Sequence, residues 1–73
     1  MSVSFVYITA SSVEEAEIIG RNLVSRKLAA CVNIIEGMKS IYHWEGKIET
    51  GEEVVLIAKT KQALIDELTE NVK

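Results

Sequence analysis

Two side chains of this chain could bind a soft metal ion, the thiol of Cys31 and the imidazole of His43. They belong to the only cysteine and the only histidine, and thiolate and imidazole are ligands that suit copper and zinc. Two ligands are too few for a complete site. A free cysteine in an apolar stretch is more often a small buried hydrophobe, which is what we expect of Cys31. For His43 we expect a packing or surface role.

Two aromatic side chains flank that histidine in the extended stretch Ile41-Tyr42-His43-Trp44. Alternate residues of a strand point to the same face. Tyr42 and Trp44 are therefore predicted to share one face, and His43 is predicted to lie on the other. Tyrosine and tryptophan bury a large apolar area while keeping a polar tip for a partner. We expect an interface role for this pair, with stacking on a small ligand as the alternative.

Charged residues near the third apolar stretch are the remaining candidates for chemistry. Lys59 ends that stretch, where an ammonium group must find a partner or reach solvent. It could pair with a carboxylate across a subunit boundary or hold an anionic ligand. Glu49, Glu52 and Glu53 form a cluster around a predicted turn at Thr50-Gly51, and we expect them to be solvated, with a weak calcium or magnesium contact as the alternative. A P-loop, a C-x-x-C pair, a G-x-G-x-x-G motif and a Ser-His-Asp order are all lacking. We therefore predict that the chain is not an enzyme.

Composition limits the function classes further. The chain has 73 residues and a net charge of −3, with eight scattered basic residues, so we predict a single domain, residues 1–73, that binds no nucleic acid. An RNA-binding module of similar fold is the weakest option. The single cysteine excludes an internal disulfide and fits a reducing compartment. The N-terminus lacks a basic leader, and no apolar run approaches the ~20 residues of a membrane span. We expect a cytoplasmic protein.

Five elements are predicted, in the order β-α-β-β-α. Two overlapping capping boxes, at Ser11 and Ser12, predict the start of the first helix, and Thr60 is predicted to cap the second. A bulge is predicted at Glu36-Gly37 within a long second strand. The chain could reverse at Glu45-Gly46 or at Thr50-Gly51, and we favour the latter. The predicted strands are Val3 to Thr9, Leu28 to Ile35 with its continuation Ile41 to Trp44, and Glu53 to Lys59.

The apolar pattern of these strands predicts partner subunits. Two helices can cover only one face of a three-stranded sheet, yet all three strands carry apolar residues on both faces. An uncovered second face would be a large apolar patch, which monomers rarely expose. We therefore expect a homo-oligomer. This element order also calls for a last strand beside the first, and we expect that strand to be missing from this sequence.

Three sequence blocks stand out together. They are Leu28-Ala29-Ala30-Cys31-Val32-Asn33-Ile34, Ser40-Ile41-Tyr42-His43-Trp44-Glu45-Gly46-Lys47 and Glu53-Val54-Val55-Leu56-Ile57-Ala58-Lys59-Thr60. In this order and spacing they resemble the CutA family of divalent-cation tolerance proteins. The resemblance implies a ferredoxin-like fold assembled as a tight trimer, with long second and third strands that reach neighbouring subunits. It also implies a link to tolerance of copper and other divalent ions, an architecture similar to PII-type signalling proteins, and no settled enzymatic reaction.

The resemblance also implies which residues line clefts between subunits. Copper binding in the family has been associated with a first-strand cysteine and with histidines in a later segment. Ile8 occupies the cysteine position here, and the later segment is missing. The leading hypothesis is a trimer that binds copper, another divalent ion or a small ligand in these clefts. The alternative is a structural or PII-like signalling trimer without a metal of its own. The cleft residues implied are Cys31, Asn33, Tyr42, Trp44 and Lys59, and those of the trimer interface are Ile41, Tyr42, Trp44 and Ile48.

Overall fold

The computed structural model describes residues 2–72 and has the predicted β-α-β-β-α order. A short 3-10 turn, Gln62–Leu64, precedes the second helix. In the sheet the strands lie in the order β1-β3-β2, and both pairings are antiparallel. This is the strand order of a split β-α-β fold, as predicted. The elements are β1 Val3–Ala10, α1 Val13–Ser25, β2 Cys31–Trp44, β3 Lys47–Lys61 and α2 Ile65–Val72.

The first helix begins where the sequence predicted it. Ser12 is the N-cap, and its hydroxyl accepts the backbone N–H of Glu15 at 3.1 Å. The Glu15 carboxylate in turn accepts the backbone N–H of Ser11 at 3.1 Å. The first bond satisfies an orphan backbone donor of the first helical turn, and the second fixes the residue that precedes the N-cap. Ala16 and Leu23 of this helix are fully buried, whereas Val24 is exposed.

The reversal between β2 and β3 lies at Glu45-Gly46, so the favoured alternative, Thr50-Gly51, is wrong. Both turn residues have positive φ, 47° and 77°, as a type I′ hairpin turn requires. Thr50 and Gly51 lie within β3, opposite Ile41 and Ser40 of β2. Gly51 therefore lies in a strand, where an added Cβ would make an ordinary van der Waals contact with the Tyr42 ring at 3.8 Å.

The predictions made at Thr60 and at Leu28 also differ from the structure. Thr60 does not cap the second helix, because it belongs to β3 and its hydroxyl donates to the carbonyl of Leu28 in the core. Strand β2 begins at Cys31 rather than at Leu28, since Leu28 and Ala29 pack into the core from the segment that follows α1. The bulge is where it was predicted: the register shifts between Ile35 and Met38, and Gly37 has a φ of 73°.

Both helices cover one face of the sheet. On that side β3 contributes four buried residues, Val54, Leu56, Ala58 and Thr60. Leu23 of α1 and Leu68 of α2 are fully buried against them. Neither helix in residues 2–72 has the length and apolar character that a membrane span requires.

The opposite face of the sheet is not covered within residues 2–72, and we call it the open face. It consists of the strand residues that alternate with the helix-facing ones. Beyond Val54 the sheet has only two strands, β2 and β3, and we call this two-stranded extension, residues 38–53, the arm. The molecule is 43 Å long in consequence. On the body, the open-face residues are Val3, Phe5, Tyr7, Thr9, Cys31, Asn33, Ile35, Val55, Ile57, Lys59 and Lys61.

Candidate functional site

All five predicted cleft residues lie on the open face. Cys31 pairs directly with Lys59, and Asn33, two residues further along β2, pairs with Ile57. Directly opposite residues of an antiparallel pair share a face. The arm continues this face, because the Tyr7 hydroxyl donates to Met38 Sδ at 3.0 Å. From Met38 onwards every second residue of β2 lies on that side. Tyr42 and Trp44 are among these residues, as the register of the hairpin shows.

The five residues nevertheless form two separate groups. Cys31, Asn33 and Lys59 lie on the body, whereas Tyr42 and Trp44 lie on the arm. Thirteen residue steps separate Cys31 from Trp44 along β2, which is about 40 Å at the rise of a β-strand. No small ligand can contact both groups within one subunit.

Cys31 is exposed in the single chain, so one subunit alone does not make it the small buried hydrophobe that we expected. The cause is its position on β2, an outer strand, with its side chain on the open face. Lys59, on the central strand, is flanked by Cys31 on one side and by Phe5 of β1 on the other. Side chains in such directly opposite positions have Cβ atoms about 4.5–5.5 Å apart. A thiol, an ammonium group and an aromatic ring therefore form one row across the sheet.

Residues of the predicted trimer interface are exposed on both faces of the arm. Tyr42 and Trp44 lie on the open face, and Trp44 is 62% exposed. Ile41 and Ile48 lie on the other face, and both are 72% exposed. His43 pairs with Ile48, so it lies opposite the face of Tyr42 and Trp44, as alternation predicted. The arm thus offers large apolar side chains to both sides.

The acidic cluster does not surround a turn, because Glu49, Glu52 and Glu53 all belong to β3. Glu49 and Glu53 lie on the open face of the arm, and Glu52 faces the other way, opposite Lys39. The Glu53 carboxylate accepts the hydroxyl of Ser40 at 3.2 Å. The carboxylates therefore do not converge on one point.

The two candidate soft ligands also fail to meet within one chain. Cys31 lies at the body end of β2 and His43 near the tip of the arm, twelve residue steps away and on the opposite face. Within residues 2–72 no three His, Cys, Asp or Glu side chains come close enough together to hold a metal ion. A metal bound by Cys31 would need ligands from a neighbouring subunit.

Sequence reasoning did not identify two surface features. The first is Phe5 and Tyr7 beside the cleft residues, which only the register of β1 against β3 could have placed there. The second is a groove of about 470 Å³ between α1 and the outer edge of β2. Its lining includes Gly20, Val24 and Ile34. Exposed apolar residues at the edge of the helix-covered face were the available signal.

The fold defines a small α+β protein of the ferredoxin-like type with an extended hairpin, and the comparisons identify its family. The model of the CutA1 divalent ion tolerance protein family matches residues 4–73. The divalent-cation tolerance protein CutA of Archaeoglobus fulgidus is 50% identical over 70 residues, which cover 96% of this chain and 68% of that protein. The chloroplastic protein CutA 1 of Oryza sativa is 48% identical over 68 residues, which cover 93% of this chain and 38% of that protein.

Solved structures agree with this result. The structure of the periplasmic divalent cation tolerance protein CutA from Archaeoglobus fulgidus superposes with a TM-score of 0.90 at 49% sequence identity, covering 99% of this chain and 70% of that one. The chain belongs to the CutA1 divalent ion tolerance family, which confirms the resemblance and the fold predicted from the sequence. The name of the Archaeoglobus fulgidus protein describes tolerance of divalent cations rather than an enzymatic reaction.

Proposed function

We propose that this chain contributes to cellular tolerance of divalent cations, copper among them, as a non-enzymatic homotrimer. A metal ion or a small ligand binds in clefts between its subunits. Membership of the family supports the role in tolerance. One observation supports both the assembly and the location of the site. The cleft residues share the open face, yet they form two groups whose nearest members, Asn33 and Tyr42, are about 30 Å apart at the rise of a β-strand. A neighbouring subunit can bring the arm group of one chain to the body group of another.

The exposed apolar area supports the same assembly. Phe5 is 70% exposed, and Tyr7, Tyr42 and Trp44 are also exposed on the same side of the sheet. Full burial of one large apolar side chain stabilises by about 1.5–3 kcal/mol, so covering several of them offsets the cost of association. The single cysteine supports a reducing compartment, and we propose the cytoplasm.

The oligomeric state is tested by light scattering after size-exclusion chromatography at micromolar concentration. We expect three times the subunit mass for the wild type and a smaller species for Trp44→Glu, which places a charge in the interface. Ile18→Glu is the matched control, since Ile18 is exposed on α1, away from the open face. A monomeric wild type would contradict the proposal.

Metal binding is tested by calorimetric titration of the metal-free protein with Cu(I), Cu(II) and Zn(II) at controlled redox state. We expect micromolar or tighter binding that weakens in Cys31→Ser, because serine keeps the size of the side chain and removes the thiolate. Lack of micromolar binding in the wild type, or no loss in the variant, would argue against a metal site at Cys31.

One observation favours the alternative, a structural or PII-like signalling trimer without a metal. Residues 2–72 contain no group of three His, Cys, Asp or Glu side chains that could hold a metal ion. The described part of one subunit therefore does not supply a set of three such ligands to a cleft. A wild-type trimer that binds none of the three ions would support this alternative and leave the assembly in place.

A further inference from the structure

The charge distribution on the open face indicates what kind of ligand it can accept. On the body this face carries two lysines, Lys59 and Lys61, and no Asp or Glu among its residues on β1, β2 and β3. The first carboxylate on the same side of β3 belongs to Glu53, six residues from Lys59, or about 20 Å at the rise of a strand. The body end of the open face is therefore positively charged.

Within a single subunit a divalent cation is poorly suited to this place, and a metal ion at Cys31 would need ligands from a neighbouring subunit. Two ammonium groups repel it, and the nearby side chains offer only the Cys31 thiol and the Asn33 amide oxygen as ligands. An anion meets the opposite conditions. The Lys59 ammonium and the Asn33 amide both donate hydrogen bonds, and bonds from a charged donor to an anion are shorter and stronger than neutral ones.

The apolar neighbours of Lys59 determine the rest of the ligand. Phe5 lies directly across β3 from Cys31, with Lys59 between them, and Tyr7 and Ile57 form the next row. Once a second subunit excludes water from this face, the lower effective dielectric strengthens the attraction between the ammonium group and an anion. A ligand with an apolar or aromatic body would then cover Phe5 while its charged group contacts Lys59.

We propose that the body end of the open face, at Lys59, Asn33 and Phe5, binds a small organic anion, a carboxylate or phosphate ester with an apolar body. This rests on the proposed inter-subunit cleft and names the ligand class of that cleft. Lys59 provides the charge, Asn33 provides a second donor, and Phe5 contacts the apolar part.

The test uses phenyl phosphate, benzoate, inorganic phosphate and phenol as probes, with calorimetry and amide chemical shifts as readouts. We expect phenyl phosphate or benzoate to bind more tightly than inorganic phosphate, and uncharged phenol to bind more weakly than either. Comparison of the two aromatic anions distinguishes a phosphate ligand from a carboxylate ligand. Rising salt should weaken the binding, since a charge pair is screened.

A series of variants tests what the ammonium group of Lys59 contributes to binding. Lys59→Met should weaken binding of the aromatic anion by about tenfold or more, the loss expected when a charged hydrogen-bond donor is removed. Lys59→Arg should retain binding. Lys39→Met is the matched control, because Lys39 is also an exposed strand lysine but lies on the other face of the arm. It should leave binding unchanged.

Two outcomes would overturn the inference: no binding of either aromatic anion at millimolar concentration, or equal loss in Lys59→Met and Lys39→Met. A trimer that shows either outcome would remain consistent with the proposed assembly. If light scattering instead gives a monomer, the proposed assembly is wrong. Amide chemical shifts around Lys59 then still show whether the aromatic anion binds there. Should Lys59→Met fail to fold, the salt dependence and the Lys59→Arg variant carry the test.

Discussion

The hydroxyl of Thr60, near the end of β3, donates a hydrogen bond to the carbonyl of Leu28, 32 residues earlier in the chain. Both residues are buried. The bond satisfies a buried carbonyl in the segment between α1 and β2, next to the backbone bond from Ala30 N–H to the carbonyl of Lys59. It thereby attaches that segment to the central strand of the sheet.

Loss of this hydroxyl should destabilise the fold. In Thr60→Val the side chain keeps its shape, while the buried carbonyl of Leu28 loses its donor, so we expect a cost of about 1–3 kcal/mol. Urea unfolding at one protein concentration measures it. Thr50→Val is the matched control, since Thr50 is an exposed residue of the same strand. Equal stability of the two variants would show that the bond contributes nothing.

The N-cap of α1 provides a second prediction. Ser12→Ala removes the acceptor for the backbone N–H of Glu15 and should lower the free energy of unfolding by about 1 kcal/mol. Ser25→Ala, at the other end of the helix, should have a smaller effect, because its hydroxyl contacts only the carbonyl of Asn22. Thermal and urea unfolding both report the difference. A larger loss in Ser25→Ala would contradict the capping role.

A substitution in the turn at the tip of the arm should raise the stability of the protein. Glu45 adopts a φ of 47°, a conformation that asparagine tolerates better, and Asn-Gly is the preferred type I′ pair. We expect Glu45→Asn to raise stability by a few tenths of a kcal/mol to about 1 kcal/mol. Gly46→Ala, at a φ of 77°, should lower it. A higher urea midpoint for Glu45→Asn together with a lower one for Gly46→Ala would confirm the turn. Shifts of both variants in the same direction would contradict it.

The second helix is held chiefly by Leu68. This side chain is fully buried in a cluster with Leu23, Leu28 and Ala58, so Leu68→Ala should cost about 2–5 kcal/mol. Leu64→Ala should cost less, because Leu64 is only partly buried. The comparison is made by urea unfolding, with far-UV circular dichroism to follow the helix. Equal costs would mean that α2 does not pack as described.

Features that depend on a few neighbouring residues were predictable from the sequence. The capping box at Ser12 and the bulge at Gly37 are local, since a hydroxyl three residues before a carboxylate and a glycine between apolar stretches act within one turn of chain. The opposite orientation of His43 and Trp44 followed from alternation alone. Family membership was predictable because whole blocks of sequence carry it.

Features that depend on residues far apart in the chain were not predictable from the sequence. Glu45-Gly46 and Thr50-Gly51 offer similar local turn chemistry, and the pairing of β2 with β3 over the whole arm decides between them. Thr60 suits a helix cap locally, but its hydroxyl contacts Leu28 across the core. For the site, the exposure of Cys31 depends on β2 being an outer strand, and the neighbourhood of Phe5 and Lys59 depends on the pairing of β1 with β3.

Strand β3 runs without a break from the tip of the arm to the end of the body. Its residues 54–61 form the centre of the three-stranded sheet and its residues 47–53 form one side of the arm. In the strand pairings of residues 2–72 the register is irregular at the bulge of β2. In the trimer that we propose, a subunit would therefore present an arm that is already paired along its length. Assembly would then be the docking of preformed shapes, and its speed would depend on collision and orientation rather than on refolding of an exchanged segment.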